Sequence, residues 1–213
     1  LDNDGTYDDA TGATPDFSSV ASGVFTIGLR VTDDDGAVGT DTTTVTVSNV
    51  APTAVTGGPY AGDEGAPIAL DASGSFDPGN DIVSYEWDLD NDGTYDDATG
   101  VTTDFTSVDS GVFTIGLRVT DDDGATGADT TTVNVANVAP TAVPGGPYAG
   151  NEGDTITLDG SGSSDPGGII DLYEWDLDND GTFETPGVTA SFPTSTSGVF
   201  TVDRQGGDES EGL

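Results

Sequence analysis

The sequence predicts an all-β chain of tandem immunoglobulin-like β-sandwiches on an 88-residue repeat. Three observations lead there. The stretch Leu1-Asp-Asn-Asp-Gly-Thr recurs at Leu89 and again at Leu177, 88 residues apart each time. Apolar residues inside a repeat alternate with a period of two, and no helical stripe occurs. Of the 40 acidic residues 33 are Asp, a poor helix former that favours turns and metal loops.

Residues 1–50 match 89–138 at 42 of 50 positions, and 51–88 match 139–176 at 27 of 38. The natural boundary is Asn-Val-Ala-Pro, at Asn49–Pro52 and Asn137–Pro140. On that division 1–50 is the C-terminal part of one repeat and 51–138 is a complete repeat. Residues 139–213 are the N-terminal part of a third, with a divergent polar tail from about residue 203 that lacks a strand pattern. A unit of 88 residues is domain-sized and can own a core, unlike the short units of a solenoid. The chain begins at Leu1 and not at Met, so it is expected to be a window on a longer array.

The strands of one repeat follow in order. Ile68-Ala-Leu70-Asp-Ala72, Tyr85-Glu-Trp87-Asp-Leu89, Phe113-Thr-Ile115-Gly-Leu117-Arg-Val119 and Thr131-Thr-Val133-Asn-Val135 each present one apolar and one polar face. Between them lie turn clusters at 57–62, 76–81, 90–93 and 121–124, rich in Gly, Pro, Asn and Asp. Six or seven short strands with one Trp on a central strand indicate the immunoglobulin-like sandwich.

Composition excludes whole classes of function. Three Arg, no Lys and 40 acids give a net charge of −37, so no basic footprint exists for nucleic acid. No apolar run approaches the roughly 20 residues of a spanning helix, so no membrane insertion is expected in this segment. With no His and no Cys there is no imidazole base, thiolate or zinc site. Every acidic cluster recurs with the repeat, whereas a catalytic site would be singular, so the chain is not expected to be an enzyme.

Ordered along the chain, Ala51-Pro-Thr-Ala, Gly62-Asp-Glu-Gly, Leu70-Asp-Ala-Ser-Gly-Ser-Phe-Asp-Pro, Tyr85-Glu-Trp-Asp-Leu-Asp-Asn-Asp-Gly and Gly111-Val-Phe-Thr-Ile-Gly-Leu-Arg-Val-Thr-Asp resemble the motifs of polycystic kidney disease (PKD) domains. The resemblance covers all but the last eleven residues. It implies tandem β-sandwiches of a bacterial or archaeal extracellular or cell-surface protein, and it implies no catalytic activity.

Where shorter members of that family turn directly, this chain has an acidic loop. Asp88, Asp90, Asp92 and Asp96 stand at positions 1, 3, 5 and 9, with Gly93 at position 6. This is the spacing that opens an EF-hand loop, and it resembles thrombospondin type-3 calcium repeats more closely still. Alternate residues of a tightly turning backbone point at one hard cation. Position 12 is Thr99 rather than Glu, so another loop or water is expected to complete the shell. The third copy offers Asp176, Asp178, Asp180 and Glu184, and the first Asp2, Asp4 and Asp8. The expected cofactor is Ca2+. Weaker metal candidates are Asp121 with Asp123, Asp33 with Asp35, Asp71 with Asp77, and Asp159 with Asp165. The loop Asp88–Asp97 is expected to face Asp165 of the next unit across the linker, where calcium would stiffen the junction.

The expected function is a calcium-stabilised structural or adhesive segment of an extracellular surface fibre or filament, whose adhesion target the residues do not identify. The alternative is a spacer or substrate-binding module of a secreted hydrolase. Because 139–176 and 1–50 together supply one whole repeat, a further expectation is self-association into a head-to-tail homopolymer by strand complementation.

Overall fold

The computed structural model describes residues 6–196 and 198–208, the last six as backbone alone. The described residues form strands and turns only, as the alternation requires. The strands are β1 (Gly23–Thr32), β2 (Val38–Val47), β3 (Tyr60–Asp63), β4 (Ile68–Asp71), β5 (Ile82–Asp88), β6 (Ala98–Thr99) and β7 (Thr102–Phe105). They continue with β8 (Gly111–Asp121), β9 (Thr126–Ala136), β10 (Thr155–Asp159), β11 (Ile170–Asp176), β12 (Thr185–Pro186), β13 (Thr189–Pro193) and β14 (Asp203–Asp208).

The central strands divide as an immunoglobulin-type sandwich does. One sheet has the order β3-β9-β8-β5-β6 and the other pairs β4 with β7. β3 runs parallel to β9, from Tyr60↔Val133 to Asp63↔Ala136, while β5 and β8 are antiparallel from Ile82↔Asp121 to Asp88↔Gly116. Ile115, Leu117 and Val119 on β8 are all shut off from solvent, as are Val133 on β9 and Trp87 on β5. The indole Nε1 of Trp87 donates to the Gly100 carbonyl at 2.9 Å, which satisfies the polar atom of an otherwise apolar burial.

The chain divides into two compact units. One comprises Leu1–Gly57, Asp71–Thr103 and Ile115–Thr130, the other Gly58–Leu70, Asp104–Thr114 and Thr131–Leu213. In the first unit β1 and β2 form a two-stranded hairpin from Gly23↔Val47 to Thr32↔Val38. Its Phe17 and Phe25 rings pack at 5.4 Å, and the Arg30 guanidinium lies 4.8 Å over Tyr7. In the second unit Leu158, Trp175 and Ala190 form a buried cluster against Ile156, Leu177, Phe192 and Val202. Trp175 Nε1 donates to the Gly187 carbonyl at 2.9 Å, in the manner of Trp87.

The structure corrects one expectation about the tail. Asp203–Asp208, which carries no strand pattern, forms β14 and pairs antiparallel with β11. Its register, Asp176↔Asp203, Trp175↔Arg204 and Ile170↔Asp208, reproduces Asp88↔Gly116, Trp87↔Leu117 and Ile82↔Asp121 of the central domain. The main-chain ladder with β11 holds this strand, and a ladder needs no apolar side chain. The β11 side is offset from β5 by 88 residues and the β14 side from β8 by 87, so the third copy is one residue shorter, in the loop after β11.

Candidate metal centres

The first centre grows from the end of β5. Asp88 is 3% exposed and its two carboxylate oxygens accept the Asp92 and Gly93 amides at 3.2 and 3.0 Å. Those amides converge because Asn91 and Gly93 both take positive φ, 57° and 90°, a turn that Asn and Gly accept without a steric penalty. Asp92 turns outward and caps the Thr94 amide at 2.7 Å. Asp97 swings back, its Oδ2 accepting the Leu89 and Asp90 amides at 2.6 and 3.2 Å. One oxygen each of Asp88, Asp90 and Asp97 then lie within 4.8 Å of one another.

The second centre repeats this at the end of β11. Asp176 is 2% exposed and accepts the Asp180 and Gly181 amides at 3.2 and 2.8 Å, with Asn179 and Gly181 at φ 56° and 92°. Here four acids, Asp176, Asp178, Asp180 and Glu184, bring oxygens within 4.8 Å of one another. These are the four expected of the third copy. In the central copy the structure substitutes Asp97 for the expected Asp96, which stays exposed and outside the group. The one-residue difference in loop length is the reason. The Asp97 amide donates to the Trp87 carbonyl at 3.2 Å, and the Glu184 amide donates to the Trp175 carbonyl at 3.3 Å. Glu184 is therefore the counterpart of Asp97, while Asp92 and its counterpart Asp180 both cap the amide two residues on, at 2.7 and 2.8 Å.

The charges in these loops are crowded. The Asp92 amide pulls the Asp90 carboxyl down, but desolvation and repulsion from Asp92, Asp97 and Asp88 prevail and raise it above the usual carboxylate range. At Asp176 desolvation is outweighed by the Gly181, Asn179 and Asp180 amides, which hold the carboxylate below that range. A buried carboxylate with its protons already off, beside others, is the ligand chemistry of a hard cation.

A third centre joins two loops that the sequence analysis treated separately. Asp77, Asp81 and Asp121 bring oxygens within 4.8 Å of one another. Asp77 Oδ1 and Asp81 Oδ1 are inaccessible to solvent and have no hydrogen-bond partner. Asp121, 1% exposed, accepts the Asn49 side-chain amide at 2.8 Å, and that bond above all holds its carboxyl below the usual range. Asp81 is pushed up to about 6 by desolvation, by its hydrogen bond with Asp77, and by repulsion from Asp77, Asp122 and Asp121. Asp81 escaped the sequence analysis because its grouping with Asp121 is made by topology, across Ile82↔Asp121 of the β5–β8 ladder.

The remaining candidates lie outside these three groups. Asp71 and Asp159 accept the Ser73 and Ser161 amides at 2.8 and 2.9 Å, as turn caps. Asp123 accepts a hydrogen bond from the Ser22 hydroxyl, and Asp8 one from Thr6 Oγ1 at 2.7 Å. Asp33 accepts the Ala37 amide at 2.7 Å, and Asp35 is exposed. Asp2 and Asp4 lie outside the described residues. Both carboxylate oxygens of Asp165 are buried without a partner. Glu64 and Val108 lie against Gly167, and Gly65 lies against Pro166.

Residues 49–136 match the family model of the PKD domain, over one 88-residue period. A stretch of 115 residues, 51% of the chain, is 36% identical to the human dyslexia-associated protein KIAA0319, and it spans a tenth of that protein's length. Among solved structures the chain is similar to the PKD1 domain of Vibrio anguillarum Epp, with 31% identity and a TM-score of 0.35, covering 41% of this chain and 96% of that one. It is also similar to the human desmocollin-1 ectodomain, with 15% identity and a TM-score of 0.32, covering 86% of this chain and 41% of that one.

Proposed function

We propose that the chain is a non-catalytic, calcium-stabilised structural segment of an extracellular surface fibre. In this reading 51–138 is one complete PKD-like repeat, and 1–50 and 139–213 are parts of its neighbours. The observation that carries it is the recurrence of one loop geometry at the ends of β5 and β11: a buried Asp that gathers two amides, with further carboxylate oxygens within 4.8 Å. Carboxylates this close repel unless a cation sits among them. Calcium, with its preference for six to eight oxygens and its tolerance of irregular geometry, fits better than magnesium.

Calcium that binds only the folded chain stabilises it by mass action, about 2.7 kcal/mol per site at one hundred times the dissociation constant. Chelation is expected to lower the midpoint of thermal unfolding, and restored calcium to return it. A midpoint that chelator leaves in place overturns the reading. Magnesium at equal concentration is expected to restore little.

The proposed partner is a second copy. The third-repeat segment holds an apolar groove of about 620 Å³ lined in part by Tyr148, Ile156, Leu158, Phe192 and Phe200. The β1–β2 hairpin exposes Val24, Leu29 and Val31. Strand complementation between copies would cover both. Sedimentation at rising protein concentration with calcium is expected to show growing species, and a fixed monomer rules this out.

A further inference from the structure

The turns after β4 and β10 differ at one acid, and the difference exposes a site shared between two repeats. In the central domain a methyl group added at Gly79 would lie 2.5 Å from Asp81 Oδ2 and 2.9 Å from Asp77 Oδ2. Gly79 thus leaves open a cradle walled by two acids of its own turn. One period on, Gly167 and Asp165 repeat Gly79 and Asp77, but the position of Asp81 holds Ile169, which is 58% exposed. The cradle is not left with one wall. A methyl group at Gly167 would lie 2.8 Å from Asp165 Oδ2, 2.9 Å from the Val108 carbonyl oxygen and 3.1 Å from the Glu64 carboxyl carbon. Two of these three groups belong to the preceding repeat.

Glu64 is held for this position. It is 3% exposed, its amide donates to the Ala136 carbonyl at 3.0 Å, and its Oε1 accepts the Val138 amide of the linker at 2.8 Å. The next amide, Gly65, donates to the Ser107 carbonyl at 2.8 Å, and a methyl group at Gly65 would lie 2.6 Å from the Pro166 carbonyl. The glycine there is what lets the two repeats approach. Asp165 meanwhile presents two carboxylate oxygens that no solvent reaches and no donor satisfies. A buried carboxylate without a partner is costly, and a second one beside it adds repulsion. Among the described residues Arg118 forms an ion pair with Glu86, and that pair involves neither residue.

We infer that Glu64, the Val108 carbonyl and Asp165 hold one calcium ion between the central and third repeats, Glu64 replacing the acid that the third repeat lacks at position 169. Two carboxylates and a backbone carbonyl are the mixed oxygen set of a calcium site, with water filling the remaining positions. Such a site binds only when both repeats are in place, so it couples their folding. The inference rests on the calcium reading above and adds a ligand, Glu64, that lies outside the recurrent acidic loops.

The test titrates calcium into the whole decalcified 213-residue chain by calorimetry. Glu64→Gln and Asp165→Asn are each expected to remove one and the same ion, so the double variant loses no second ion. Gly167→Ala, which fills the cradle and keeps every acid, is expected to weaken that ion at least tenfold. Asp178→Asn is expected to affect a different ion. Should Asp165→Asn fail to fold, Glu64→Gln and Gly167→Ala carry the test, with the near-ultraviolet signal of the two Trp as the check on folding. A Glu64→Gln chain that keeps every ion at the original affinity overturns the inference and leaves the calcium reading standing. A natural chain that binds no calcium overturns both.

Discussion

The ten residues Gly-Val-Phe-Thr-Ile-Gly-Leu-Arg-Val-Thr occur twice, as β1 and as the first ten residues of β8. Leu117 and Val119 on β8 have no solvent exposure, whereas their equivalents Leu29 and Val31 on β1 are 59% and 57% exposed. Identical residues in identical strand conformation differ because β8 lies between β9 and β5, while β1, among the described residues, pairs with β2 alone. Burial is a property of the neighbours that a strand finds, and alternation only makes a strand fit to be buried. The same holds at the strand ends. Asp33 and Asp121 accept the amide four residues on, each at 2.7 Å, yet among the described residues Asp121 and not Asp33 joins a group of three acids.

The largest expected effect separates the two strands. Leu117→Ala is expected to cost about 2–5 kcal/mol in urea unfolding, the range for a leucine removed from a packed core. Leu29→Ala in the same chain is expected to stay within about 0.5 kcal/mol, as for exposed positions. Equal losses would mean that β1 finds a cover in solution, and the strand complementation proposed above would supply it.

A second effect distinguishes the strand ends by pH. Asp81, beside Asp121, is raised to about 6 in the folded chain against an ordinary value of 3.8. Between those values the folded state holds more protons than the unfolded state, so in calcium-free buffer stability is expected to fall as pH rises from about 4 to 6. Asp81→Asn is expected to remove that fall. Calcium is expected to reverse it, since the ion needs the deprotonated carboxylate. Thermal midpoints across the window, with and without chelator, read both.

The smallest effect concerns the outward faces. Arg118 bonds Glu86 at 2.9 Å and lies 5.0 Å over Tyr95, while Arg30 lies over Tyr7 at 4.8 Å. The Arg118 pair is 39% and 30% exposed on its two sides, so solvent screens it. Arg118→Ala is expected to cost roughly 0.2–1 kcal/mol more than Arg30→Ala, and the excess to shrink in molar salt.

Much of the fold was legible because its determinants are local. Period-two alternation marks β8 and β9, the Gly and Asn turns mark their ends, and Trp87 reads as core because it shares a face with Tyr85 and Leu89. The acidic loops were legible for the same reason, as spacing within ten residues of chain. What was not legible depends on pairing. Asp97 displaces Asp96 because a single residue is missing from the third loop, which ungapped comparison hides. Asp81 reaches Asp121 only once β5 and β8 are in register. β14 forms from a sequence without apolar alternation because β11 offers it a ladder. Glu64 reads as one more polar turn residue until the neighbouring repeat covers it.

The parallel pairing of β3 with β9 has a mechanical consequence. β3 follows the linker Asn49–Pro52 and β9 precedes the linker Asn137–Pro140, so a pull through the two linkers draws these strands in opposite directions along their own axes. The rungs from Tyr60↔Val133 to Asp63↔Ala136 then bear the load together, in shear. An antiparallel terminal pair would instead peel one rung at a time. The central domain is thereby built to hold its length under tension.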